Sequence, residues 1–168
     1  MNILISIIVF QVIWFFAAIM AGKGLPLYSV SAIGVSLVGH WLCSKNKKNS
    51  ALFYLSAAGL GFIADTCLIQ IGVMTMTSRV KDVSPLFMVG MWCHFVSTFD
   101  YSLAWVHKHK KIAVLLGGIA GPLAYWSGEK LGALQLNESL GYSLGWIAFM
   151  WIVTMPTLMY MHKRIVKI

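Results

Sequence analysis

Asp65, His94 and Glu129 stand inside long apolar runs of this 168-residue chain, and their side chains suit acid–base chemistry. An ionisable group in a hydrocarbon layer costs about 2.5 kcal/mol or more unless it faces a cavity or a partner. A carboxylic acid kept neutral by burial can donate a proton, with a histidine or a second carboxylate as base. These three residues are therefore the candidate catalytic set. On helices rising 1.5 Å per residue, Asp65 and His94 fall about 12–14 Å from one end of their runs, and Glu129 about 7–8 Å from the same side. His40 and Asp100 match each other at about 22 Å, which predicts a second pair nearer the opposite side.

Helical periodicity of 100° per residue gives each polar group its company. Asp65 shares a face with Tyr54, Ala58, Gly61 and Gly72, so it points toward small residues inside a bundle. His94, Ser97, Thr98 and Tyr101 form a polar arc with Asp100 at its edge, and His40 lies in a stripe with Ser29, Ala32, Ser36 and Cys43. Gln11 and Trp14 share a face with Ala18 and Gly22. Gln11, Trp14, Tyr125, Tyr101, Asp100 and His40 are the candidate substrate-binding residues. Buried carboxylates and histidines also serve simply to lock helix register, and that reading stands beside the catalytic one. Cys43, Cys67 and Cys93 are spaced unlike a metal site or a disulfide framework, so no metal and no cofactor is expected.

The elements that carry these residues are membrane helices. The chain is 59% hydrophobic and 11% charged, with a mean hydropathy of +0.79; soluble domains carry about 25% charged residues. The expectation is an all-α polytopic membrane protein, a six-transmembrane-helix bundle forming one domain over residues 1–168. Six runs of suitable length for a ~30 Å core are 2–21, 25–44, 51–73, 85–107, 112–134 and 139–161. The first has no basic segment before it and a long apolar run, so it reads as a membrane helix rather than a signal peptide. The connection from Met74 to Ser84 reads as a plain polar loop, Asn137-Glu138-Ser139 starts the last helix, and the two halves show no evident repeat.

The net charge of +8 does not point to nucleic acid, because most basic residues crowd into short connections. Lys45, Lys47 and Lys48 follow the second run, Lys108, Lys110 and Lys111 the fourth, and Lys163, Arg164 and Lys167 the sixth. The opposite connections carry only Lys23, Arg79 and Lys81, and Lys130 lies within the fifth run one turn from its end. Under the positive-inside rule both termini face the cytoplasm, which implies an inner membrane.

The fifth run holds Gly117, Gly121, Gly128 and Gly132 within about 60° of one another. This small-residue stripe admits a helix at close range, from the same chain or, in a homodimer, from a second copy. Pro122 predicts a kink midway.

Four stretches resemble an uncharacterised family of bacterial inner-membrane proteins of this length, a domain of unknown function. They are Phe10-Gln11-Val12-Ile13-Trp14-Phe15, Gly61-Phe62-Ile63-Ala64-Asp65, Gly118 through Tyr125, and Gly128 through Ala133. The resemblance covers essentially the whole chain and implies lipid chemistry, with membrane lipid as partner; it supplies no catalytic assignment. The chain departs from it at Asp100-Tyr101-Ser102, where the resemblance implies an Asn-His-Ser type of sequence. Three functions fit: an enzyme acting on a lipid or other apolar substrate, a proton- or cation-linked transporter or substrate-binding module, and an accessory membrane subunit.

Overall fold

The computed structural model describes residues 2–77 and 82–166. Its helices are α1 (Ile3–Gly22), α2 (Pro26–Cys43), α3 (Lys47–Gln70), α4 (Leu86–Val96), α5 (Lys110–Lys130) and α6 (Leu140–Val166), with a 3-10 turn at Ala104–His107. Helices α1, α2, α3 and α6 are long and apolar enough to cross a membrane. Of the basic residues used for orientation, Arg79, Lys81 and Lys167 lie outside the described residues.

The fourth run departs from a single long helix. Ser97 Oγ donates to the carbonyl of His94 at 2.7 Å, and Thr98 Oγ1 donates to that of Phe95 at 2.6 Å. These local bonds compete with the helical ladder. The backbone then switches to tighter pairing, Thr98 N to Phe95 O and Phe99 N to Val96 O, the pattern of 3-10 turns. So α4 stops at Val96, and turns carry the chain to His107. Pro122 lies within α5 without ending it.

Helices α1, α3 and α5 end in the same way. Gly24, Gly72 and Gly132 have φ of 74°, 72° and 80°, a left-handed conformation that glycine adopts without a Cβ penalty. In each case the glycine N–H and the next N–H turn back to the last helical carbonyls; at α3 these bonds run Gly72 N to Ile69 O and Val73 N to Leu68 O. This is a Schellman stop used three times.

After two of these stops the chain forms short strands, β1 (Met74–Met76) and β2 (Leu134–Leu136). They pair antiparallel, with Met74 opposite Leu136 and Thr75 opposite Gln135. The Met74–Ser84 connection is thus not a plain loop. Its first residues are ladder-bonded, with Met74 and Met76 buried and Thr75 exposed.

This pairing exposes an internal repeat that residue types had hidden. Gly61 and Asp65 of α3 and the Gly72 that follows it match Gly121 and Tyr125 of α5 and the Gly132 that follows it at a constant spacing of 60 residues. A Cβ on Gly61 would lie 2.1 Å from the Trp92 ring, and one on Gly121 2.2 Å from Trp151. Trp92 and Trp151 stack at 4.9 Å with planes 14° apart. Hairpins α3–α4 and α5–α6 are therefore built alike about an approximate two-fold axis between Thr75 and Gln135.

The glycine stripe is used inside the chain. Gly117 and Gly121 face Met155 and Trp151 of α6, Gly128 faces Leu134, and Gly132 meets Gly22. Gly121 is buried against α6, and Gly117 is half-buried beside Met155. At the far end a Cβ on Gly22 would lie 2.0 Å from the carbonyl oxygen of Leu131. Thus α1 and α5 touch at the sheet end.

Candidate functional site

Asp65 is fully buried in α3. Its carboxylate accepts from three directions: the Tyr125 hydroxyl of α5, Trp92 Nε1 of α4 at 2.9 Å, and Ser84 Oγ at 3.4 Å. Ser84 is itself placed by its N–H, which donates to Thr66 Oγ1 at 3.1 Å. One carboxylate thereby ties three helices together at the axis of the repeat. Buried carboxylates are tolerated where donors converge on them in this way.

Trp92 and Tyr125 turn their other faces to a cavity of about 580 Å³. Its walls come from α1 (Phe10, Gln11, Trp14), α4 (Met88, Trp92), α5 (Gly117, Gly121, Tyr125) and α6 (Trp151, Met155). Phe15, Leu116 and Leu123 also line it, and they are 49%, 45% and 50% exposed. The cavity therefore opens sideways between α1 and α5, below the point where Gly22 and Gly132 meet. Trp151 Nε1 in its wall is covered and has no acceptor among the described residues.

The other candidates lie elsewhere. Trp92 and His94 are two residues apart, 200° around α4, so Trp92 reaches Asp65 while His94 faces α1 and α2. His94 stacks on Phe10 at 5.0 Å, with Nε2 3.3 Å from the Phe10 carbonyl and Nδ1 3.4 Å from Ser36 Oγ. His40 joins it: Nδ1 donates to the Ser36 carbonyl at 2.9 Å, and its ring lies 6.0 Å from His94 and 5.9 Å from Tyr101. A carbonyl only accepts, so Nδ1 holds the proton and Nε2 is left without a partner among the described residues.

Glu129 caps the hairpin instead of joining Asp65. Its Oε1 accepts from Leu136 N at 2.9 Å, and Lys130 stands 3.9 Å away. The Schellman turn folds β2 back over the last turn of α5, which brings that N–H within reach. Asp65, His94 and Glu129 thus share no hydrogen bond and have separate partners. Likewise Asp100 pairs not with His40 but with His162, whose Nε2 donates to it at 2.9 Å. His162 Nδ1 in turn lies 2.8 Å from His107 Nε2. A carboxylate accepts only, so with neutral rings His107 donates to His162 and keeps a bare Nδ1.

Sequence reasoning missed Trp92, Ser84, His107 and His162. Trp92 was legible as a partner for Asp65, since it lies one heptad after Pro85 on the face opposite the polar arc. His162 fell just past the sixth apolar run, where it read as tail.

No curated protein and no solved structure matches the chain. A family model described as Protein of unknown function (DUF2878) matches residues 3–157, and the chain belongs to that family.

Proposed function

We propose that this protein is a membrane-embedded binding module for a molecule with a long hydrocarbon body, such as a membrane lipid. The observation that carries this reading is the apolar cavity opening sideways between α1 and α5. Its volume lies within the ~300–1,000 Å³ of small-molecule sites, and a lateral mouth admits a chain directly from the bilayer. Asp65 shapes the cavity without facing it, because Tyr125 and Trp92 stand between. That favours binding over catalysis by Asp65. An enzyme acting on the same ligand would need another acid–base group, and the Asp100–His162–His107 chain is the group to test.

Tryptophan fluorescence tests the reading, because Trp92 and Trp151 form part of the wall and bromine quenches on contact. In nanodiscs, 9,10-dibromooctadecane is expected to quench saturably in the wild type. Ala124→Phe, which fills the cavity from α5, should weaken that binding about tenfold. Quenching that rises without saturation and is equal in both proteins defeats the reading.

In this reading α4 and the turns through His107 complete a fourth crossing and α5 a fifth, for six in all. The protein lies in a bacterial inner membrane with the sheet end outside. Eight described basic residues, from Lys45 to Arg164, then fall on the cytoplasmic side. A reporter fused after Ile168 is expected to be active in its cytoplasmic form only; activity in the periplasmic form alone reverses the orientation.

A further inference from the structure

Gln11 is the ninth of twenty residues of α1, a helix with a mean hydropathy of 2.7. By helical rise it lies about 12 Å from one end of α1 and about 16 Å from the other. Its side chain is too short to snorkel to either surface. It is exposed, lines the cavity, and has no hydrogen bond among the described residues. Trp14 lies one turn further on the same face. It too lines the cavity, and its indole N–H makes no hydrogen bond among the described residues.

The surrounding wall offers these groups little. The side chains of Phe10, Phe95 and Leu116 carry no hydrogen-bonding group, and Met91 offers only a weak thioether acceptor. An amide left unpaired in hydrocarbon is costly, and the cavity mouth opens toward the lipid side. A bound molecule is the remaining partner. An amide supplies donors and an acceptor, whereas the indole supplies a donor only. Together they suit an oxygen that accepts two hydrogen bonds.

Resting on the binding reading above, we infer that the ligand carries an oxygen group, an ester, ketone or hydroxyl, set against Gln11 and Trp14 near mid-membrane with hydrocarbon around it. A plain alkane chain leaves both groups unpaired. A phospholipid headgroup would lie at the surface, far from Gln11. The ligand class is thus an oxygen-bearing long-chain molecule whose polar atom enters the bilayer core.

The test compares methyl 9,10-dibromostearate with 9,10-dibromooctadecane by the same quenching in nanodiscs. The wild type is expected to bind the ester about tenfold more tightly than the alkane. Gln11→Leu should abolish the ester's advantage over the alkane, because the amide that pairs with the ester oxygen, and that an alkane leaves unpaired, is gone. Trp14→Phe, which keeps an aromatic ring and loses the N–H, should reduce the ester's advantage over the alkane by a smaller factor. Saturable binding of the alkane, at whatever affinity, shows that each variant is folded. Equal wild-type affinity for the two probes overturns this inference and leaves the binding reading standing, as does a Gln11→Leu loss equal for both. Saturable binding of neither probe removes the binding reading and this inference with it.

Discussion

Asp65→Ala is expected to lower stability by roughly 3–5 kcal/mol, the range for breaking a buried charged network by deleting one partner. The substitution removes the acceptor shared by Tyr125, Trp92 and Ser84. Each donor left buried and unpaired costs about 1–3 kcal/mol, and relaxation keeps the total below the simple sum. Asp65→Asn keeps the shape and one carbonyl acceptor, and Tyr125 can rotate its hydroxyl to accept from the new amide. Its loss should therefore be clearly smaller. Tyr125→Phe leaves the carboxylate two donors and should cost about 1 kcal/mol. Denaturant titration in mixed micelles separates these variants. If Asp65→Ala unfolds within about 0.5 kcal/mol of wild type, the size of an ordinary surface change, the three-helix junction is not what holds α3, α4 and α5 together.

Gly121→Ala is expected to destabilise the bundle by about 1–3 kcal/mol or more, as overpacking in a filled core does. A Cβ there meets the Trp151 ring at 2.2 Å, and that ring is stacked on Trp92. Moving Trp151 would also disturb Trp92 and so the bond to Asp65. Gly128→Ala is the control. Its Cβ would find Leu134 at 3.6 Å, an ordinary contact, so its effect should be a few tenths of a kcal/mol. Leucine at Gly121 should be worse than alanine, with loss of folded protein on purification. Thermal unfolding in detergent that left Gly121→Ala equal to Gly128→Ala would mean that α5 does not meet α6 along this line.

Both substitutions lie on the stripe legible in the sequence, yet only packing separates them. The spacing of Gly117, Gly121, Gly128 and Gly132 marked a face where something comes close. It did not say that Gly121 holds an indole, that Gly128 rests beside a strand, or that Gly132 ends the helix. In the same way, the duplicated hairpin was invisible while Asp65 and Tyr125 were compared as residue types. It appears once both are seen at the same step before a left-handed glycine.

What the sequence by itself determined are properties local to one helix. Apolar run lengths marked the helices, fixed rise set the depth of Asp65, and fixed turn angle showed that its face carries small residues. Gln11 and Trp14 on one face, and Asn137 before the last helix, were legible for the same reason. Tertiary structure alone decided which face meets which neighbour. Depth is one coordinate, and contact also requires each helix to be rotated toward the other. The 200° between Trp92 and His94 sends one to Asp65 and the other to Ser36, and the turn after α5 carries Glu129 to the strand. Ser97 and Thr98 broke the fourth helix through local bonds, which freed Asp100 to meet His162 instead of His40. The cavity belongs to the same class of result: it exists because α1 and α5 touch at Gly22 and Gly132 and part below, a relation between two helices that neither sequence segment contains.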